Sequence, residues 1–245
     1  MIKKSPLITI ITVVKNDEKK IEKTILSVLN QEYKNIEHIV IDGKSSDGTI
    51  SIIKKYKNKL IFFSNKDKNL WQAMNRGIKK SSGSIIGILN SGDVFYPKAL
   101  TIVSKYFNDY KIDFLFGAVK KNKVFHLYEP EKIFYRFNIY PSHSCGFFIK
   151  KNAQKKVGYY NENLEICSDY DLFYKMITKY KMKGTSTKKN EVMGKFDMSG
   201  LSSRQSFLKT LFFEIIIRYR NGQNFLFLFF LFFLKIFNKL RNILF

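Results

Sequence analysis

Two aspartates at the ends of apolar runs are the residues best placed to do chemistry. Asp42 ends the run over residues 36–41 in Ile-Asp-Gly-Lys-Ser-Ser-Asp-Gly-Thr, and Asp93 ends Leu-Asn-Ser-Gly-Asp after the run over 84–89. Both lie in segments too polar and Gly-rich to be core. In open α/β sheets ligands bind beyond the carboxyl ends of the strands. A hard divalent cation that also holds substrate phosphates needs one or two carboxylates there and little else from the protein. Two acids delivered to one edge therefore point to a metal-bridged diphosphate ligand. Asp47, ahead of Gly48-Thr49, reads instead as a helix N-cap.

The elements that must position these acids follow from the apolar pattern. Residues 7–14 (LITIITVV) form a continuous β-branched run, as in a parallel strand buried on both faces. Although two lysines precede it in the manner of a signal peptide, polar Lys15-Asn16-Asp17 follows without a small-residue cleavage site. Ile21, Ile25, Val28 and Leu29 mark one face of a helix. Strands are expected at 36–41, 60–63 and 84–89, and helices at 49–56, 70–80 and 97–107, the last opened by Pro97. Strand starts 24 to 29 residues apart are the scale of βα units in a parallel sheet. After residue 110 the alternation stops. Short strands at 114–119, 124–128 and 146–149, then helices at 170–180 and 207–220, predict a mixed second half.

The chain has 245 residues and a formal net charge of +23, with 45% hydrophobic residues, enough apolar material for a core and too much for intrinsic disorder. Such a charge suits nucleic acid, an anionic membrane surface or an anionic small substrate, and many of the lysines read simply as solvated surface. Two cysteines without a CxxC or Cys/His cluster argue against a disulfide scaffold or structural zinc, and favour a reducing compartment.

Four segments, in order, resemble family 2 glycosyltransferases, over roughly residues 6–205. PLITIITVVKN is similar to the family's opening strand, and residues 41–49 to its nucleotide-binding D-x-x-S-x-D-G-T stretch. DKNLWQAMNRG, residues 67–77, resembles the D-x-G-x-Y-D-A-M-N-x-G segment of bacterial O-antigen, capsule and exopolysaccharide members, and Asn90-Ser-Gly-Asp93 occupies the place of the metal-binding D-x-D, with its first acid missing. The resemblance implies a GT-A fold: a mostly parallel, Rossmann-like α/β sheet with a mixed second half. It also implies an inverting enzyme with a nucleotide-sugar donor, UDP by default with dTDP and GDP open, and Mg²⁺ or Mn²⁺ as cofactor. Thr12 and Asp42 would contact the nucleobase and ribose, Asp67 and Arg76 would lie near the donor, and Asp93 would hold the metal.

In the second half, Cys167-Ser-Asp169-Tyr-Asp resembles the E-D motif that supplies the catalytic base, Ser168 standing where the family has Glu. The alignment implies Asp169 as base, with Asp171 as the alternative that otherwise favours the positive end of a helix. Tyr140-Pro-Ser-His143-Ser resembles the acceptor-side P-x-H-Q region, although a His that caps or fills a loop reads equally well. Phe196-Asp-Met-Ser-Gly200-Leu-Ser-Ser resembles the G-G-x-S loop, which would bring Ser202 to the donor diphosphate.

The tail is a separate matter. Residues 225–234 (FLFLFFLFFL) are ten uninterrupted apolar positions, half of what spans a bilayer. Beyond them Lys235, Asn238, Lys239 and Asn242 share one helical face, and Phe237, Leu240 and Leu244 the opposite one. That is the pattern of an interfacial helix, favoured over a helix packed on the domain or on a partner subunit. The expected organisation is a glycosyltransferase domain over 1–221, its donor half at 1–110 and acceptor half at 111–221, and a membrane-associating tail at 222–245. The expected acceptor is a saccharide, lipid-linked through a polyprenyl carrier, and the expected location is the cytoplasmic face of the cell membrane, in surface polysaccharide or lipopolysaccharide synthesis. A nucleic-acid-binding role lacks any recognition signature, a glycoside hydrolase needs no nucleotide-binding edge, and the altered D-x-D and E-D motifs keep an inactive scaffold as a third reading.

Overall fold

The β-branched opening run forms β1 (Ile8–Val14), whose seven residues are all buried. A strand without polar alternation has to lie inside a sheet covered on both faces. The computed structural model describes residues 5–200 and 205–244. After β1 come α1 (Ile21–Leu29), β2 (Ile36–Asp42), α2 (Thr49–Lys54), β3 (Ile61–Ser64), α3 (Leu70–Lys80) and β4 (Ile85–Ile88). β1 pairs in parallel with β2 on one side and β4 on the other, and β2 pairs in parallel with β3. Asp42 and the segment that follows β4 therefore leave the sheet at one edge, on either side of β1.

The chain continues through β5 (Val94–Phe95), α4 (Ala99–Asp109), β6 (Phe114–Phe116), β7 (Ala118–Lys120), β8 (Val124–Phe125), β9 (Phe147–Lys150) and α5 (Lys151–Val157). It ends with α6 (Ser168–Tyr174), β10 (Gly184–Ser186), β11 (Val192–Lys195), α7 (Phe207–Arg220) and α8 (Phe225–Leu244). A seven-stranded sheet has the order β10-β6-β9-β4-β1-β2-β3, and a four-stranded sheet the order β5-β11-β7-β8. β9 runs antiparallel between β4 and β6, which makes the large sheet mixed and draws strands of both halves of the chain into it.

Sequence pattern predicts one strand over 114–119, but the chain divides there between the two sheets. The break is at Gly117, where a Cβ would sit 2.1 Å from Met193 Cγ, so any larger residue has to displace the Met193 side chain. Phe114 and Phe116 face one core cluster, with Trp71, Met74, Phe147 and Phe173; Leu115 faces the other, with Leu100, Val103 and Phe148. This is the two-residue period of a strand packed on both sides. The helix expected at 170–180 begins two residues early as α6, and its last turn, Lys175–Lys179, is π-wound.

The tail helix is longer than its apolar run and is docked. Leu228 and Leu231 of α8 are buried, and Lys235 Nζ reaches back to Glu214 Oε1 of α7 at 2.5 Å. Lys235 thus faces the protein and not a headgroup layer, because spacings of three and four bring it onto the same helical stripe as Leu228 and Leu231. Among the described residues, no helix is long and apolar enough to cross a membrane.

Candidate active site

Three clusters gather at the carboxyl edge of the large sheet. In the first, Asp42 is wholly buried at the end of β2, where its carboxylate accepts hydrogen bonds from Ser45 Oγ and Ser64 Oγ, both at 2.5 Å, and from the Ser45 amide. Arg76, on α3, pairs with Asp67 at 2.7 Å and donates to the Asp42 carbonyl at 3.3 Å, so Asp42, Asp67 and Arg76 meet. Burial pushes the Asp67 carboxyl up, while the Arg76 guanidinium pulls it the other way. Arg76 Nε is buried without a partner, a donor left over after the protein's own bonds are made.

Thr12 is not brought to this surface. Alternate residues of β1 face opposite sides of the sheet, and the Thr12 side chain is wholly buried beside β2, sharing a 3.0 Å hydrogen bond with His38 Nε2. Burial lowers His38 to about 3, so the imidazole is neutral there.

The second cluster surrounds Asp93. Its Oδ1 accepts from the Asp197 amide at 2.6 Å and its Oδ2 from Ser144 Oγ, and Lys121 lies close enough to act on its charge. Burial pushes the Asp93 carboxyl up to about 7, against the pull of those two hydrogen bonds. Asp197 in turn binds Lys20 Nζ at 2.5 Å and Ser199 Oγ at 2.9 Å. Gly92 makes the approach possible: its φ is +95°, and a Cβ there would lie 2.5 Å from Asp197 Oδ2. Among the described residues no three His, Cys, Asp or Glu side chains converge. Asn90 nevertheless offers a buried, unpartnered amide oxygen, and its backbone N–H donates to the same Ser144 hydroxyl at 2.8 Å. One carboxylate and one neutral oxygen fit a hard cation that takes its remaining ligands from a diphosphate.

The third cluster holds Asp169, at the start of α6. Tyr140 Oη donates to Asp169 Oδ2 at 3.3 Å. His143 is buried in an aromatic box of Trp71, Phe147, Tyr160 and Phe173, with its Nε2 2.6 Å from Tyr160 Oη. Burial lowers its pKa, opposed by the Asp169 charge. The loop before α6 is tied to α3: Asn75 exchanges two hydrogen bonds with the Tyr160 backbone, at 2.8 and 2.9 Å, while Gln72 and Asn75 both donate to the Glu162 carboxylate. Asp171 lies elsewhere, paired with Lys175 at 2.9 Å and accepting from Asn221 Nδ2 at 3.0 Å.

Adjacent residues join the clusters. His143 turns into the aromatic box and Ser144 turns onto Asp93, while α3 supplies Trp71 to the box and Arg76 to the first cluster. Sequence reasoning misses Ser144, Asn75, Glu162, Lys20 and Asp197 as site residues. Asp197 lies inside a segment singled out for Ser202, so an acid beside a Gly-Ser motif is the signal that could have found it. Ser202 itself lies outside the described residues.

The family described as "Glycosyl transferase family 2" matches residues 9–167. An uncharacterized glycosyltransferase of Rickettsia typhi is 30% identical over 188 residues, which cover 71% of this chain and 59% of the relative. One from Methanocaldococcus jannaschii is 29% identical over 195 residues, covering 70% of this chain and 65% of the relative. The chain thus spans about three fifths of the length of the Rickettsia typhi and Rickettsia prowazekii relatives, and less of several others. Among solved structures, S. aureus TarS 1-349 in complex with UDP-GlcNAc superposes with a TM-score of 0.67 at 16% identity, covering 86% of this chain and 66% of that one. The mannosyltransferase PcManGT from Pyrobaculum calidifontis, in complex with GDP-Man and Mn²⁺, gives a TM-score of 0.67 at 14% identity, covering 89% and 65%. The expected GT-A fold is present, and with the family match over well over half its length this chain belongs to glycosyl transferase family 2.

Proposed function

We propose that this chain transfers a sugar from a nucleotide-sugar donor to a saccharide hydroxyl with inversion at the anomeric carbon. The observation that carries the reading is the division of labour among the carboxylates: Asp171 is committed to Lys175 and Asn221, whereas among the described residues the Asp169 carboxylate has only the Tyr140 hydroxyl, beside the buried His143 box. Asp169 accepts the proton of the acceptor hydroxyl as that oxygen attacks the anomeric carbon, and the bond to the diphosphate breaks on the opposite face. Asp42 takes the ribose, and Arg76, with its spare Nε, a donor oxygen beside Asp67. Ser202 keeps its assignment to the diphosphate on the sequence resemblance alone.

Asp93 and Asn90 are the residues that would hold Mg²⁺ or Mn²⁺, which when bound neutralises charge on the leaving diphosphate. Lys20 and Lys121, gathered around the same acids, add fixed positive charge to that side of the site. UDP is the favoured donor nucleotide, since TarS binds UDP-GlcNAc; GDP, as in PcManGT, is the competitor. The acceptor we propose is a lipid-linked saccharide at the inner face of the cell membrane, in surface polysaccharide or lipopolysaccharide assembly, a reading supported by the apolar C-terminal helices.

The deciding experiment is Asp169→Asn, assayed with UDP-sugars and GDP-mannose over a panel of saccharide acceptors. It loses about 10²- to 10⁴-fold in kcat while calorimetric UDP binding is unchanged. Normal turnover in that variant overturns the assignment.

A further inference from the structure

The sequence of α7 and α8 contains a single acid, Glu214, against six basic residues, and that acid is withdrawn from the surface. Glu214 is 3% exposed, and its Oε1 is bound by Arg218 at 2.7 Å and by Lys235 at 2.5 Å. Arg218, with no exposed surface at all, also lies against the rings of Tyr170 and Tyr174 on α6 and donates to the Arg136 carbonyl. This buried ionic knot, with Leu228 and Leu231, presses one stripe of α8 onto the protein and fixes which side faces out.

The outward side is almost wholly hydrocarbon. Phe225, Leu226, Phe229, Phe230, Phe233, Phe237 and Leu240 of α8 are exposed, and Leu208, Phe212 and Tyr219 of α7 continue the same character. A contiguous patch of this kind marks a binding surface, since water is a poor partner for it. Its ionic border is basic: Arg220, Lys239 and Arg241 are exposed, Lys239 lying over the Phe207 ring, and Glu165, an acid outside the two helices, is paired with Lys209. α8 is not long and apolar enough to cross a bilayer. Hydrocarbon flanked by cations, on a helix held lengthwise against the domain, complements an anionic lipid surface better than it does a protein face.

We propose that the α7–α8 hairpin is a monotopic foot that lies in the plane of an anionic membrane, Phe229, Phe230, Phe233 and Phe237 entering the acyl boundary and Arg220 and Arg241 reaching the headgroups. The foot is coupled to the site: Asn221, at its turn, bonds Asp171 on α6, the helix that begins with Ser168 and Asp169. The inference rests on the proposed transfer reaction and deepens it, for the preferred acceptor is then an amphiphile whose saccharide is presented at the headgroup level beside α6.

The test is flotation of the full chain with phosphatidylcholine vesicles with and without phosphatidylglycerol, beside transfer to a water-soluble saccharide acceptor and sizing by light scattering. The wild type floats with the phosphatidylglycerol vesicles. The triple variant Phe229→Asp/Phe230→Asp/Phe233→Asp stays at the bottom while keeping soluble-acceptor turnover and its melting temperature. Arg220→Gln/Lys239→Gln/Arg241→Gln loses on the order of a hundredfold in vesicle affinity. Equal flotation of the triple aspartate variant overturns the proposal. A wild-type dimer that the same variant converts to monomer, without flotation of either, assigns the face to a second copy and also overturns it. Loss of turnover on the soluble acceptor in the wild type counts against the transfer reaction alone.

Discussion

Tyr140 donates a hydrogen bond to Asp169 Oδ2 at 3.3 Å from a ring that cannot swing away, stacked on Phe116 at 5.0 Å and met edge-on by Phe173 at 4.6 Å. Burial, and then the charge of Asp169, hold the Tyr140 hydroxyl well above its usual range, so it stays a protonated donor at any working pH. In the proposed reaction, a base that must take a proton from the acceptor is thereby oriented by a neutral group that offers none. Tyr140→Phe keeps the packing and removes only the donor. The expected result is a lower kcat, by about the tenfold that one lost hydrogen bond is worth, with the KM for the donor unchanged. An unchanged kcat contradicts this role.

Asp171→Asn separates the two acids of the same helix. Its partners are Lys175 and Asn221, so the variant loses about 1 kcal/mol of stability and retains kcat on a soluble acceptor. A loss of turnover as large as that of Asp169→Asn exchanges the two assignments.

Asp93 makes stability depend on pH in a direction opposite to an ordinary paired carboxylate. Its folded pKa is raised by burial from 3.8 to about 7, so the folded state holds this proton more tightly than the unfolded chain. The contribution is most favourable below the unfolded value and is lost as pH rises toward and through about 7. In calorimetric scans free of divalent ions, Asp93→Asn therefore lacks this loss, and its melting temperature gains on the wild type between about pH 4 and about pH 7. Added Mn²⁺ with UDP raises the wild type at the alkaline end and leaves the variant unmoved. Parallel curves for the two proteins defeat the prediction.

Glu214→Ala tests the ionic knot. Removing the one acid strands Arg218, which is fully buried, and frees Lys235 from α7. A loss of about 3–5 kcal/mol in chemical denaturation is expected. Glu214→Gln, which can still accept a hydrogen bond, falls between the variant and wild type.

Legibility in the sequence followed the range of the interaction. The parallel half was readable because period and spacing are local properties: seven β-branched residues call for a doubly covered strand, and β1 is one. Asp42 and Asp93 could be picked out because strand ends are marked by a change of polarity next door. What could not be read depended on partners far along the chain. Nothing near Gly117 announces that Met193 will lie against it, and nothing near Thr12 that His38 will take its hydroxyl. Lys235 looked like a headgroup lysine because its face, taken alone, is polar, and only the burial of Glu214, twenty-one residues earlier, turns it inward. Asp197 meets Asp93 across 104 residues through a backbone amide, which leaves no trace in side-chain pattern.

The fastening of α3 has a metrical consequence. Trp71 enters the His143 box and Arg76 the Asp67 pair from one uninterrupted helix, five residues apart. At 1.5 Å and 100° per residue, that separation is about 7.5 Å along the axis and about 140° around it. The helix works as a ruler between the His143 box and the Asp67–Arg76 pair, and so, in the proposed reaction, between the acceptor side and the donor side. A single alanine inserted between Met74 and Asn75 would preserve every side chain named here and still turn the guanidinium about 100° out of phase.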